Sequence, residues 1–386
     1  MQGFVGLFAC VFLAIGALTA NSLAAAPAKM LPASSGKPIP DQYIVVLKDG
    51  ASPRSVAAVA SVRPKHVYES ALNGFAAALN AGQLAALQRH PSVDYIEQDR
   101  EFTIAATQTV GAGQWGLDRI DQRALPLNGS YSYTATGAGV TAYIISTGIL
   151  PSHADFGGRA AIAFDAYGGS GTDCNGWGTH LAGVVGGTTY GVAKSVNLRG
   201  VRVLNCSYYG DVTGTYAALI TGLDWVSANA VRPAAAVVVS AASASSSAVY
   251  DALTRMLASG IFVTVPAGDS GGDACSGTLA SHSGVYTATA SDRNDYRPAF
   301  ANYGSCVDIY APGVSITSAW NNGGTSSFTS TIVSAGHVLG CVAKYKSAYG
   351  EAAPSTIATW LNSNATTGAI RNNLLPTPNR LLYCPL

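Results

Sequence analysis

Val140-Thr-Ala-Tyr-Ile-Ile-Ser146-Thr147-Gly148-Ile149 is the stretch whose reading decides the fold. Residues 140–145 are short, rich in apolar side chains and lack a polar alternation, the pattern of a strand buried on both faces. Similar runs recur at Leu198–Val203, Ala235–Val239, Ile261–Val265 and Val307–Tyr310. Helical stretches fall at Tyr216–Ala228, Ala248–Leu257 and Val333–Lys344. Short apolar strands separated by helices predict an α/β fold, a parallel sheet covered by helices on both faces. Function in such sheets sits in loops at the C-terminal ends of the strands. Ser146, after the first run, and Asp269, after Ile261–Val265, are therefore candidate site residues.

Upstream, residues 42–98 carry a compact β-α-β-β-α-β pattern, a small ferredoxin-like α+β domain. Tyr43-Ile-Val-Val-Leu47 is its first strand, a helix follows from Pro53, and Val67–Ser70 and Gly74–Leu79 are strands. Gly82–Gln88 reads as helix, and Val93-Asp-Tyr-Ile-Glu97 closes the unit. Thr103–Gln114 is small and polar and reads as a linker to the larger domain.

Composition excludes several classes. In 386 residues, 48% are apolar and only 11% charged, so the chain can bury a core and is not disordered. A formal net charge of +1, with no basic run to track phosphates, argues against nucleic acid as a partner. Residues 4–20 form an apolar run followed by small residues near Ala24–Ala26, the pattern of a secretory signal peptide over residues 1–25. No Lys or Arg precedes that run, and an uncleaved anchor is the alternative; about 17 residues is at the short edge for spanning, so no stable membrane partner is expected. Of the seven cysteines, Cys10 lies in this segment, leaving Cys174, Cys206, Cys275, Cys306, Cys341 and Cys384. No Cys-x-x-Cys spacing suggests zinc, and six cysteines allow 15 pairings.

Three windows carry a resemblance to subtilisin-type serine proteases, above all their proteinase K branch. The first is Ser146-Thr147-Gly148, where the family has Asp-Thr-Gly after a buried strand. In Asp173-Cys174-Asn175-Gly176-Trp177-Gly178-Thr179-His180 the family has His-Gly-Thr-His, so Trp177 stands at the histidine position. The third, Ser327–Gly340, is similar to Gly-Thr-Ser-Met-Ala-Thr-Pro-His-Val-Ala-Gly and puts Ile332 at the nucleophile position. Trp115-Gly-Leu-Asp-Arg-Ile-Asp-Gln122, Thr189-Tyr-Gly-Val-Ala-Lys194 and Phe300–Ile309 support the resemblance, which covers about residues 106–384 and implies the subtilisin-like fold for 106–386. Residues 38–104 resemble the subtilase propeptide, through Tyr43-Ile-Val, Asn73-Gly-Phe75 and Val93-Asp-Tyr-Ile-Glu97.

The chemistry implied by the family needs a hydroxyl, a base and a carboxylate. Ser146 supplies no negative charge, and replacing a triad carboxylate even by an amide costs about 10⁴ in turnover. Trp177 offers one N–H donor and no proton-accepting lone pair. Ile332 has no nucleophilic atom, and Ser330, Thr331 and Ser334 are rotated from its position by about 100° or 200° on a helix. His180 is one turn along the same helix, where the family has a packing histidine. Asp269 stands where the family supplies an oxyanion-stabilising asparagine, and a carboxylate accepts rather than donates. Ser240-Ala241-Ala242-Ser243 replaces the family's Ser-Leu-Gly-Gly at the substrate edge and adds side chains where peptide backbone approaches.

These substitutions lead to the expectation that the chain is not an enzyme but a pseudoprotease, secreted, binding its own propeptide or other peptides and proteins at the former cleft. The alternatives are an active serine endopeptidase and a carrier of an inhibitory propeptide. The resemblance further implies two disulfides, Cys174–Cys206 and Cys275–Cys306, with Cys341 and Cys384 either paired or free. It also implies a structural calcium ion held by Asp308 with the carbonyls of Ser283 and Val285, one carboxylate among carbonyls being suited to a hard cation. No organic cofactor is implied.

Overall fold

The computed structural model describes residues 27–31, 37–70, 72–101, 106–206, 212–239, 246–277 and 279–386. The apolar run 4–20 with its cleavage region, and the segment Ser240–Ser243, lie outside the described residues. The chain divides into two compact units, Met1–Phe102 and Thr103–Leu386.

In the first unit the strands are β1 (Lys29–Met30), β2 (Lys37–Leu47), β3 (His66–Tyr68), β4 (Gly74–Ala78) and β5 (Val93–Glu101), in the order β1-β5-β2-β4-β3. Helices α1 (Pro53–Val59) and α2 (Ala81–Gln88) complete it. Val45, Leu47, Phe75, Ala77 and Ile96 meet Val56 and Leu87 in a separate core, as period-2 strands with one apolar face require. Asn80 and Gln83 form a reciprocal capping box that sets the start of α2. Strand β1, parallel to β5, had no sequence signal, because two residues are too few to show a period.

The second unit runs through β6 (Ala106–Thr109), α3 (Trp115–Ile120), β7 (Ser130–Tyr133), β8 (Thr141–Ser146), β9 (Ala160–Asp165), α4 (Trp177–Gly186), β10 (Asn197–Arg202), β11 (Leu204–Cys206), β12 (Val212–Gly214), α5 (Tyr216–Asn229) and β13 (Ala234–Val238). It continues with α6 (Ser247–Ala258), β14 (Phe262–Pro266), β15 (Tyr286–Ser291), β16 (Ile309–Pro312), β17 (Ile316–Ala319), β18 (Thr325–Phe328), α7 (Thr331–Tyr349), α8 (Pro354–Asn364), β19 (Thr366–Thr367) and β20 (Arg380–Leu381). Nine strands form one sheet in the order β19-β20-β16-β15-β14-β13-β8-β10-β9, parallel except at the β19 edge. This is the α/β subtilisin-like architecture. β8 lies between β13 and β10, where the strand order changes direction, and open α/β sheets bind ligands beyond the C-terminal ends of the strands at such a point.

Two expectations need correction. Thr103–Gln114 is not a plain linker: Ala106–Thr109 pairs antiparallel with Ser130–Tyr133, and Gln108 Nε2 donates to the Thr189 carbonyl at 2.9 Å. Small polar residues look like linker when their tyrosine-bearing partner strand is over 20 residues away. The run Val307–Tyr310 is displaced, the strand lying at Ile309–Pro312. β15 carried no apolar signal because Thr287, Thr289 and Ser291 are buried in it; Thr289 Oγ1 is satisfied by the Asn302 carbonyl at 2.6 Å.

Close packing of α7 against α4 depends on two glycines one turn apart. A Cβ at Gly336 would lie 2.7 Å from Leu181, and one at Gly340 would lie 2.5 Å from Val192 and 3.0 Å from the Val185 carbonyl. The stretch beginning at Trp115 is held by its own polar groups. Trp115 Nε1 donates to the Val314 carbonyl at 3.0 Å, and fully buried Arg119 makes a two-bonded pair with Asp295 at 2.7 and 3.1 Å. Three disulfides join Cys174 to Cys206, Cys275 to Cys306 and Cys341 to Cys384. No helix among the described residues is long and apolar enough to cross a membrane.

Candidate active-site cleft

Ser146 ends β8, fully buried, and its Oγ has no hydrogen-bond partner. A serine hydroxyl is shorter than a carboxylate side chain and does not reach as far toward donors beyond the strand end. The next residue makes the connection to α4: Thr147 Oγ1 donates to Asp173 Oδ1 at 2.7 Å and accepts from Gly178 N at 3.0 Å. Asp173 Oδ1 also accepts from the backbone N–H groups of Asn175 (3.0 Å) and Gly176 (2.9 Å), while Oδ2 accepts from Thr179 N (2.7 Å) and Thr179 Oγ1 (2.5 Å). One buried carboxylate thus satisfies the N-terminus of α4 and ties it to the exit of β8. Sequence reading passed over this residue, although an Asp three residues before a helix-opening Gly-Trp is a capping signal.

Trp177 is the first residue of α4, half-buried, and its ring stacks on Phe328 with centroids 6.1 Å apart and planes at 28°. Gly176 before it has φ +122°, and a Cβ there would lie 2.3 Å from the Trp320 ring. His180, one turn on, is buried; its Nε2 lies 2.9 Å from the Ile316 carbonyl, and its ring meets Trp320 and Phe328 edge-on. Burial pushes its pKa down to about 4, against carbonyls of Ile316 and Ser326 that pull it up. The imidazole is therefore neutral and occupied, a packing group.

The third element enters at the N-terminus of α7. Ser330 is its N-cap, its Oγ accepting from Ile332 N at 3.0 Å and donating to Asp269 Oδ2 at 2.5 Å. Asp269 Oδ1 accepts from Thr331 N at 2.8 Å, and Gly268 N donates to Thr331 Oγ1 at 3.0 Å. Both carboxylate oxygens of Asp269 are thus turned onto the helix N-terminus, where negative charge is favourable. The acid at position 269 thus has a structural role that the sequence did not reveal. Ile332 is 9% exposed and belongs to the main apolar core. The neighbouring hydroxyls are all engaged, Ser334 Oγ donating to the Ala311 carbonyl at 3.0 Å.

The fold brings the Ser146 strand end, the Trp177 turn and the Ile332 turn to one place through Asp173, the Trp177–Phe328 stack and the Asp269 cap. Among the described side chains at these positions there is no hydrogen-bonded hydroxyl–imidazole–carboxylate relay. Elsewhere, Asp308 Oδ2 accepts from Thr287 N at 2.7 Å, placing the carboxylate beside the start of β15, two residues beyond Val285. Burial pushes this carboxyl up to about 6, opposed by the Thr287 hydrogen bond and Arg380. A single carboxylate held this way is costly to ionise unless a positive charge lies beside it. No group of three or more His, Cys, Asp or Glu side chains among the described residues could hold a metal.

Residues 137–379 match the subtilase family, and residues 42–105 match the peptidase inhibitor I9 family. The extracellular serine proteinase of Thermus sp. (strain Rt41A) is 41% identical, over 97% of each chain. Proteinase R of Parengyodontium album is 39% identical, over 92% of each chain. The alkaline serine exoprotease A of Vibrio alginolyticus is 39% identical over 92% of this chain and 70% of its own. The crystal structure of a cold adapted subtilisin-like serine proteinase superposes with a TM-score of 0.68 at 40% identity, covering 72% of this chain and 99% of that one. These relatives overturn the expectation that the chain is not an enzyme, since named proteinases match it across nearly its whole length. The three side chains bear on one mechanism, whereas that expectation extended to every activity of the cleft.

Proposed function

This chain belongs to the subtilase family, and from that premise we propose that it is secreted and takes extended polypeptide at the cleft beside the C-terminal end of β8. The observation that carries the reading is the shared frame: Asp173 ties the exit of β8 to the start of α4, Asp269 after β14 caps α7, and the half-buried Trp177 stacks on Phe328 just before α7. A partly exposed aromatic pair is suited to gripping an apolar side chain of the polypeptide. The I9 match makes the chain's own N-terminal domain a candidate occupant. Ser146, Trp177, Ile332 and Asp269 are the residues we assign to the family's triad and oxyanion positions. Peptide-bond hydrolysis is the second reading, favoured by the relatives' names; any turnover would proceed through groups other than a Ser-His-Asp relay at these positions.

Calorimetric titration with an extended peptide copying residues 93–104, run beside a chromogenic-peptide assay, tests both readings. Saturable binding is expected. Its absence in the folded protein would overturn the cleft assignment, and turnover above that of a mock purification would favour the second reading. Trp177→Ala is expected to weaken the peptide about tenfold, or roughly 1.4 kcal/mol, the loss of one aromatic anchor. An unchanged affinity would remove Trp177 from the contact surface.

Calcium is the proposed ion at Asp308 with the Ser283 and Val285 carbonyls. An ion bound only to the folded state, at a hundred times its dissociation constant, stabilises by about 2.7 kcal/mol. Chelation should lower the melting temperature of the wild type and leave Asp308→Asn unaffected; equal responses would exclude the site.

A further inference from the structure

The C-terminal half of α7 carries a lysine with core residues for neighbours. Lys344 is fully buried, and its ammonium nitrogen lies 2.9 Å from the Tyr131 hydroxyl, which donates onward to the Val192 carbonyl at 2.8 Å. A second lysine shares the same aromatic surface. Lys194, in the segment after α4, places Nζ 5.3 Å from the Tyr131 ring centroid and 5.9 Å from that of Tyr133; for Lys344 the distances are 5.0 and 5.9 Å. Lys194 also donates to the Thr189 carbonyl at 3.1 Å. Asp121, which follows α3, completes the cluster. Its Oδ2 accepts from Ser132 N at 2.6 Å, while Oδ1 is buried without a hydrogen-bond partner.

Two amines and one carboxylate therefore share an interior site with two phenols. A buried cation is costly unless paired and hydrogen-bonded, and Lys344 is hydrogen-bonded to a neutral phenol, which leaves its charge out of balance. Releasing a proton from Lys344 removes that imbalance while leaving an amine that can still donate to Tyr131.

We propose that Lys344, Lys194, Asp121 and Tyr131 form an internal proton-sensitive latch that joins α7 to β7 and to the segment after α4, and that makes the folded chain more stable as the pH rises above neutral. The two lysines agree in sign. Burial pushes Lys344 down to about 7, with Asp121 pulling it up and Lys194 pushing it further down. Burial pushes Lys194 down to about 8, with Asp155 and Arg159 acting in opposite directions. Burial raises Asp121 to about 6, with the Ser132 hydrogen bond and Lys344 opposing it and Asp118 reinforcing it. Tyr131 is held well above its usual value, chiefly by burial and then by Asp121 and Tyr133, so it remains a neutral phenol.

A lysine with a lowered folded-state pKa destabilises the fold while it is charged. That cost is fully present below the folded pKa and disappears as pH rises toward the unfolded value of about 10.4. The window for Lys344 is therefore from about 7 to about 10, and that for Lys194 opens near 8. Asp121 acts in the opposite sense at lower pH: its raised pKa supports the fold below its unfolded value, and that support is lost as pH rises through about 6.

The test is thermal and denaturant unfolding of the full chain between pH 6 and pH 10, compared with Lys344→Met, whose side chain has a similar length and no charge. The variant should melt at a higher temperature than the wild type at pH 6, and the two curves should converge toward pH 10. The difference in slope should correspond to about one proton per molecule. A constant offset between the curves would overturn the proposal. Carbon-13 labelling of the wild-type lysine side chains gives a readout independent of any variant's folding. One lysine should titrate near pH 7 and another near 8; titration of every lysine at or above 10 would equally overturn it.

Discussion

Ser146→Asp, Trp177→His and Ile332→Ser introduced together are expected to raise kcat/KM toward an extended chromogenic peptide by about 10³ or more, while each change alone has little effect. The reason is that carboxylate, imidazole and hydroxyl act as a unit: a serine without a base remains protonated, and a base without a nucleophile has nothing to deprotonate. The frame already holds the three positions, since Asp173 ties the exit of β8 to the start of α4 and Asp269 caps α7. Adding Asp269→Asn should supply a further factor of about 10²–10³ by placing an amide donor near the developing oxyanion. It would also remove a charged acceptor from the α7 N-terminus, at about 1 kcal/mol in stability. A folded, peptide-binding triple variant with unchanged turnover would show that these positions are not in catalytic register. Wild-type turnover already equal to that of the triple variant would identify a different catalytic group.

The largest stability change is expected from Cys341→Ala with Cys384→Ala. That disulfide spans 43 residues, against 32 and 31 for the other two, and both of its cysteines are fully buried. Loop-closure entropy assigns it about 4 kcal/mol, which for a unit of this size corresponds to a fall in melting temperature of roughly 10 °C. It fastens the interior of α7 to the last residues of the chain, so its loss should also expose the C-terminal segment to proteolysis before the rest unfolds. Melting within a degree or two of the wild type would show that this segment is held by packing alone.

Much of the architecture was legible because it depends on local patterns. The buried parallel strands announce themselves as apolar runs, and α2 as the helical stretch Gly82–Gln88, its Asn80–Gln83 cap emerging in the structure. The three candidate positions were assigned through flanking residues such as Thr147-Gly148 and His337-Val338, whose hydrogen bonds and burial belong to the frame. What escaped were features whose cause is distant in sequence. Ala106–Thr109 is a strand only because Ser130–Tyr133 lies beside it. β15 is buried despite its hydroxyls because strands on both sides and the helices over it enclose it, and of those hydroxyls Thr289 Oγ1 finds a partner in the distant Asn302 carbonyl.

Sequence by itself determined the fold class, the two-domain order and the identities at positions 146, 177 and 332, because hydrophobic period, turn chemistry and motif spacing are local quantities. Only the tertiary structure decided what those residues and their neighbours do. Asp269 reads as a lost oxyanion donor until Ser330 and Thr331 are seen to direct both its oxygens onto a helix N-terminus. Lys344 reads as an ordinary helix lysine until Tyr131, 213 residues away, is found against its ammonium in the core. A side chain's charge state and role follow from its dielectric surroundings and hydrogen-bond partners, and those are assembled only when distant segments pack together.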